Sequence, residues 1–247
     1  IVIGNDKNSI ENPVVQPQDP ALSGGGRDQT LQFGDVLRGS KKHDLIVGGL
    51  GTDVIFGRKG NDVIVGGLEH FNPNNRDRAF GGQGHDMFIW KPGDGSDLFE
   101  GGSGQDAVVF GLVGEIDDTG NLVFGVSNDQ KLGNIALDHT YLPLVDVSGS
   151  PGFCDIIDRQ DNPELADLGL DHLVRFSIRG IADAFESGAQ NTDNGLRVTL
   201  HLKDVEVLVC TNREGGQIEI FDLTTSPAQL IQPYHLKPAL RKRLENI

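Results

Sequence analysis

Cysteine is nearly absent: Cys154 and Cys210 are the only two in 247 residues. Two cysteines make no disulfide framework. They either pair in an oxidising compartment or sit as small side chains in a β-rich core. Aromatics are scarce, with one tryptophan (Trp90) and two tyrosines, which leaves little for stacking on sugars. Positive charge is also short: 21 Lys and Arg against 36 Asp and Glu give a net charge of −15. The phosphates of a nucleic acid would be repelled, so that class of partner is excluded. No run of about 18 apolar residues exists, so no transmembrane segment is expected. No signal peptide is apparent. The chain opens on Ile1 rather than Met, which reads as a processed product or a piece of something longer. Catalytic signatures are missing too: there is no His-Glu-x-x-His, no Gly-x-Ser-x-Gly and no phosphate-cradling loop. The seven histidines show no ligand spacing, and Asp138-His139 and Asp171-His172 read as turn chemistry. No enzyme is expected from these residues.

Glycine and aspartate, by contrast, are abundant and ordered. Aspartates fall at 35, 44, 53 and 62, nine apart, and resume at 77, 86, 97 and 106, spaced nine, eleven and nine. Two positions after each comes an apolar residue: Leu37, Ile46, Ile55, Ile64, Ala79, Phe88, Phe99 and Val108. A fixed short period predicts a solenoid. The glycines supply the φ > 0 turns, and the three residues after each Asp make a short strand with one side chain inward. Two nonamers return the chain above itself, so Asp35 stacks with Asp53 and Asp44 with Asp62. Stacked carboxylates and turn carbonyls form an all-oxygen cage, suited to a hard cation such as calcium rather than zinc or copper. Folding is then expected to depend on the metal.

The copies Gly48-Gly-Leu-Gly-Thr-Asp-Val-Ile-Phe56, Gly81-Gly-Gln-Gly-His-Asp-Met-Phe-Ile89 and Gly101-Gly-Ser-Gly-Gln-Asp-Ala-Val-Val109 are complete. The copy starting at Gly57 lacks its second glycine, and Gly39–Val47 is looser. Over roughly residues 34–110 the chain resembles the repeats-in-toxin (RTX) family of calcium-binding nonapeptide repeats. The resemblance implies a right-handed parallel β-roll holding several Ca2+ ions. It also implies secretion by the type I route, in the family's usual manner, to the extracellular space or cell surface. The expected carboxylate ligands are Asp44, Asp53, Asp62, Asp86 and Asp106, then Asp35, Asp77 and Asp97. Carbonyls of the turns beginning at Gly48, Gly57, Gly81 and Gly101 would complete the shell.

In order along the chain, residues 1–33 read as an irregular N-terminal cap of the roll, with prolines at 13, 17 and 20 arguing against a central strand. Residues 34–111 are the roll. Its rhythm is interrupted by a loop at Glu69–Asn75, a candidate partner contact, and by Trp90–Asp97. Residues 112–232 read as a β-rich C-terminal cap with one or two short helices. Strands are expected at 121–126, 134–137, 142–147, 196–203, 205–209 and 217–223. A helix start is expected with Asn162 as N-cap and Pro163 first. A strand to Arg179 and a short helix to Glu186 follow. Residues 233–247 form a basic amphipathic tail, with Leu236, Leu240 and Leu244 on one face; such a tail departs from the RTX pattern and either docks or stays solvated.

The mainly-β chain thus reads as a secreted calcium-binding module, a structural or interaction subunit of an extracellular assembly with a protein partner. The alternatives are the C-terminal portion of a larger RTX enzyme and a calcium-dependent polysaccharide-binding module.

Overall fold

The computed structural model describes residues 2–3, 34–49, 52–67, 76–124, 135–180 and 198–244. The expected cap at 1–33 lies outside them except for Val2 and Ile3, as do the loop Glu69–Asn75 and the expected helix from residue 181 on.

Among the described residues, the repeat region and a short strand from the expected irregular cap give nine strands: Val2–Ile3 (β1), Val36–Arg38 (β2), Leu45–Gly49 (β3), Val54–Lys59 (β4), Val63–Gly67 (β5), Arg78–Gln83 (β6), Met87–Trp90 (β7), Leu98–Ser103 (β8) and Ala107–Phe110 (β9). Successive strands go alternately to two parallel sheets, β1-β3-β5-β7-β9 and β2-β4-β6-β8. Ile46 pairs with Ile64, Phe88 and Val108 in turn, and Leu37 with Ile55, Ala79 and Phe99. The interruptions therefore leave the register of the strands intact, because the extra residues are absorbed in turns. This is the parallel β-solenoid that the nine-residue period predicts.

The inward side chains Leu37, Ile46, Ile55, Ile64, Ala79, Phe88, Phe99 and Val108 form one buried core. Each large one contributes roughly 1.5–3 kcal/mol by leaving water. One inward side chain per strand describes the sheet holding β4, whose flanking Val54 and Phe56 are only half-buried. It fails for the other sheet: Leu45 and Val47, Val63 and Val65, Met87 and Ile89, and Ala107 and Val109 are buried as well. That second face needs a cover. Leu112–Ile116 (β10), Leu122–Phe124 (β11) and Val145–Asp146 (β12) form a small sheet that brings Val113, Val145 and Val147 onto it. We call these the covered sheet and the open sheet.

The sheets of the roll do not stop at residue 111. Gly152–Asp158 (β13) and His172–Ile178 (β14) pair antiparallel, and β14 pairs with Val198–Lys203 (β15). β15 then lies parallel against β8 in the open sheet. Val207–Thr211 (β16) lies parallel against β9 in the covered sheet, followed by Ile218–Asp222 (β17) and Gln229–Leu230 (β18). The region expected as a separate cap supplies another turn of the roll and then converts it into an antiparallel sandwich. The physical reason is that β8 and β9 would otherwise expose unpaired backbone and the end of the core. Trp90, Phe110 and Phe176 pack together at the transition, with ring centroids 4.9–5.6 Å apart. Cys154 on β13 is bonded to Cys210 on β16, so the disulfide joins the two sheets.

Smaller expectations shift. Of the strand expected at 134–137, the described residues Ile135 and Leu137 make isolated bridges. The helix Glu164–Asp167 begins one residue later than expected, with Pro163 at the cap. In the tail, Leu236 and, on the helix Pro238–Leu244, Leu240 are buried against the covered sheet. The tail docks.

Candidate metal centre along the two edges of the roll

Each repeat aspartate sits where a turn enters a strand, so the alternation of sheets sorts the aspartates onto two edges. Asp35, Asp53, Asp77 and Asp97 precede strands of the open sheet. Asp44, Asp62, Asp86 and Asp106 precede strands of the covered sheet. On each edge the aspartates form a ladder in which one carboxylate oxygen accepts from the backbone N–H of the aspartate one turn below. The N–H of Asp35 donates to Asp53 Oδ1 at 2.6 Å, Asp53 to Asp77 at 2.7 Å and Asp77 to Asp97 at 2.9 Å. On the second edge Asp44 donates to Asp62 at 2.8 Å, and Asp62 to Asp86 and Asp86 to Asp106 at 2.7 Å.

The second oxygen has no such use. Oδ2 of Asp53, Asp62, Asp77, Asp86, Asp97 and Asp106 is buried without a hydrogen-bond partner. Asp44 differs, because Ser40 N–H donates to its Oδ2 at 2.6 Å. Burial is the main reason the inner carboxyls are hard to ionise, and neighbouring carboxylates add to it. It pushes Asp53 and Asp62 up to about 6, Asp86 and Asp97 to about 7 and Asp106 to about 8. Asp77 is raised well above the carboxylate range by burial and then by Asp97.

The free oxygens face the first glycine of their own turn. A Cβ on Gly57 would lie 2.5 Å from Asp62 Oδ2 and 2.6 Å from the carbonyl of Gly81. On Gly81 it would lie 2.6 Å from Asp86 Oδ2 and 2.7 Å from Gly101 O. On Gly48 the distances are 2.6 Å to Asp53 Oδ2 and 1.9 Å to Gly66 O. Only glycine leaves room for carboxylate and carbonyl to converge there. Arg58 occupies the second position of its turn at φ 85, where Gly82 and Gly102 sit at 109 and 99, so the missing glycine costs strain without changing the turn.

This donor set is oxygen-only, anionic and short of positive charge, which fits a hard divalent cation. Among the described residues no three His, Cys, Asp or Glu side chains converge on one point. An ion on either edge would therefore take one or two carboxylates and complete its shell with turn carbonyls.

Residues outside the aspartate pattern join the edges. Asp94, in the turn after β7, is buried with one oxygen unpartnered; burial raises its pKa well above the ordinary range, and Lys91 opposes the rise. A ladder of the residues before the aspartates also runs up the second edge. Asn61 N–H donates to His43 Nδ1 at 2.6 Å, His85 N–H to Asn61 Oδ1 at 2.9 Å, and Gln105 N–H to His85 Nδ1 at 2.9 Å. Lys237 N–H of the tail ends it on Gln105 Oε1 at 2.7 Å. From the same tail, Arg243 donates to the carbonyls of Asn61, Asp62 and His85. Its charge lowers the pKa of Asp62 and Asp86 against the effect of burial.

Residues 30–68 and 93–112 match the family model of the RTX calcium-binding nonapeptide repeat, in four copies. The matched stretches hold six of the eight ladder aspartates: Asp35, Asp44, Asp53, Asp62, Asp97 and Asp106. The copy at Gly81–Ile89 lies between the two matched stretches and takes the same place in the ladder. A solution structure of the AlgE6R3 subunit from the Azotobacter vinelandii mannuronan C5-epimerase is similar, at 19% identity over 68% of this chain and 70% of that one, with a TM-score of 0.31. No curated protein matches the chain significantly. RTX repeats bind calcium as a class. Neither Asp94 nor the ladder that includes His43 and His85 follows from the nonamer, which marks only the sixth position.

Proposed function

We propose that the chain is a secreted calcium-binding module whose roll folds on calcium, serving as a structural or interaction subunit outside the cell. The observation that carries it is the pair of buried carboxylate ladders with their second oxygens bare. Without a cation, stacked anions in a dry edge repel, and their burial opposes folding. Bound calcium would supply the positive charge between turns, so binding free energy becomes folding free energy. Asp53, Asp62, Asp77, Asp86, Asp97 and Asp106 are the proposed carboxylate ligands, with carbonyls from the turns beginning at Gly48, Gly57, Gly81 and Gly101. Asp35 and Asp44, at the outer turn, come after them. No helix of the described residues is long and apolar enough to cross a membrane. The Cys154–Cys210 disulfide suits an oxidising compartment, and millimolar extracellular calcium suits sites of about 0.1–1 mM. Calorimetric titration of EDTA-stripped protein tests this reading. Saturable uptake of several ions, reduced in Asp62→Asn/Asp86→Asn, is expected; no uptake at millimolar calcium would refute it.

A second reading, binding of an acidic polysaccharide, is favoured by the open sheet. Phe56 and Phe80 stack there at 5.2 Å, the Arg38 guanidinium lies 5.5 Å from the Phe56 ring, and Arg78 is exposed beside them. Aromatic faces and guanidinium groups on a flat sheet match uronate rings and carboxylates. Retention on immobilised polyuronate, lost in Arg38→Ala/Arg78→Ala with calcium present, would support it; equal retention of both would exclude it.

A further inference from the structure

The aspartate ladder on the second edge does not end with the last repeat. The N–H of Asp106 donates to Glu206 Oε2 at 2.7 Å, the same bond at the same length that Asp86 N–H makes to Asp106. The strand register agrees. Val207 N–H donates to Asp106 O as Ala107 N–H donates to Asp86 O, and Val207 pairs with Ala107. Glu206 is therefore the next rung, supplied from 100 residues downstream.

The glycine cradle is repeated there too. A Cβ on Gly101 would lie 2.8 Å from Asp106 Oδ2 and 2.2 Å from Asp204 O. Asp204 O thus stands where Gly81 and Gly101 present their carbonyls to the turns before them. Asp204 itself adopts φ 50, a left-handed conformation that aspartate tolerates better than most residues. Asp106 Oδ2 is buried and unpartnered, aimed into this cradle. Glu206 also lines an open cavity with Asp158, Asp171, His172 and Asp204. The first edge has no counterpart: His201 N–H donates to Asp97 O, so Leu200 holds the position of the next aspartate.

We propose that Asp106, Glu206 and the carbonyl of Asp204 form a further divalent-cation site, one that joins the last repeat to a segment outside the repeats. It rests on the calcium reading of the repeats. Its consequence is that calcium fastens β15 and β16 onto the roll, so the sandwich and its disulfide are assembled on a metal-loaded edge.

Glu206→Gln tests the site in the full chain, because a glutamine oxygen can still accept the Asp106 N–H while the charge is gone. Calcium binding is measured by calorimetry, alongside amide hydrogen exchange of residues 198–211. The expected result is one ion fewer than wild type, or one binding phase at least tenfold weaker, with the fold retained. Identical count and affinity in Glu206→Gln, while Asp86→Asn loses ions, would overturn this site and leave the repeats as calcium sites. No calcium binding by the wild type would overturn both. Should Glu206→Gln not fold, wild-type exchange decides: protection of 198–211 that rises with calcium is expected, and protection indifferent to calcium would overturn the proposal.

Discussion

The covered and open sheets are made of the same nonamer, yet one is buried on both faces and the other presents its outer face. After Asp44, Asp62, Asp86 and Asp106 come Leu-Ile-Val, Val-Ile-Val, Met-Phe-Ile and Ala-Val-Val, apolar throughout. After Asp35, Asp77 and Asp97 come Val-Leu-Arg, Arg-Ala-Phe and Leu-Phe-Glu, with a charge beside the inward residue. The central residue of each triplet builds the roll; its neighbours decide what else the sheet touches. The edges differ in the same sense. The aspartate ladder leading into the covered sheet carries the tail and reaches Glu206, whereas the other ladder runs out at Leu200.

The sharpest way to break this contrast is a charge on the outer face of each sheet. Ile89→Asp in the covered sheet would bury an unpaired carboxylate and is expected to cost more than about 4 kcal/mol. Phe80→Asp in the open sheet, losing a half-exposed stack, should cost about 1 kcal/mol. Denaturant unfolding in calcium measures both, and equal losses would contradict the distinction.

Severing the sheets comes next. Cys154→Ser removes a cross-link across 56 residues of sequence, worth about 4 kcal/mol in the chain-entropy limit. The same unfolding measurement checks it, and an unchanged midpoint would show that the sheets do not rely on this staple.

The edges make a pH prediction. In calcium-free protein, folded carboxyls at about 6 to 8 hold protons that the unfolded chain releases near its ordinary 3.8. Their contribution to stability is fully present at or below that ordinary value and is lost as pH rises through 6 to 8. Melting in EDTA should therefore occur at a higher temperature at pH 5 than at pH 8. Saturating calcium should reverse the order, since a cation takes the deprotonated form. A higher melting temperature in EDTA at pH 8 would contradict the burial of these ladders.

The most local effect is expected at the tail. Arg243→Ala removes the guanidinium from three carbonyls, a loss of about 1–3 kcal/mol confined to local docking. Limited proteolysis should cut within 231–244 sooner in the variant, leaving the roll intact. Unaltered proteolysis would mean that Leu236 and Leu240 hold the tail alone.

The period of the aspartates made the roll and both ladders legible, because a nine-residue repeat whose extra residues fall in turns leaves the chain one way to stack. The two faces were equally written, in the residues flanking Ile46, Ile64, Phe88 and Val108, but went unread because the motif draws attention to its centre. The further turn at 198–211 was not legible by period: its glutamate stands 100 residues beyond Asp106, and Asp204 takes the place of the first glycine with only Val205 between it and Glu206. Strand pairing across that distance is set by the open ends of β8 and β9. Docking of the tail depended likewise on a covered face that the nonamer alone does not announce.

The most direct test of the central claim is a calcium titration of the EDTA-stripped protein, following Trp90 fluorescence and far-UV circular dichroism together. Trp90 is buried beside Phe110 and Phe176, at the passage from repeats to sandwich, so it reports on both. A cooperative rise in β signal with a matching Trp90 change at about 0.1–1 mM calcium is the predicted result. A stripped protein already folded, with both signals flat across the titration, would contradict calcium-dependent folding of the roll.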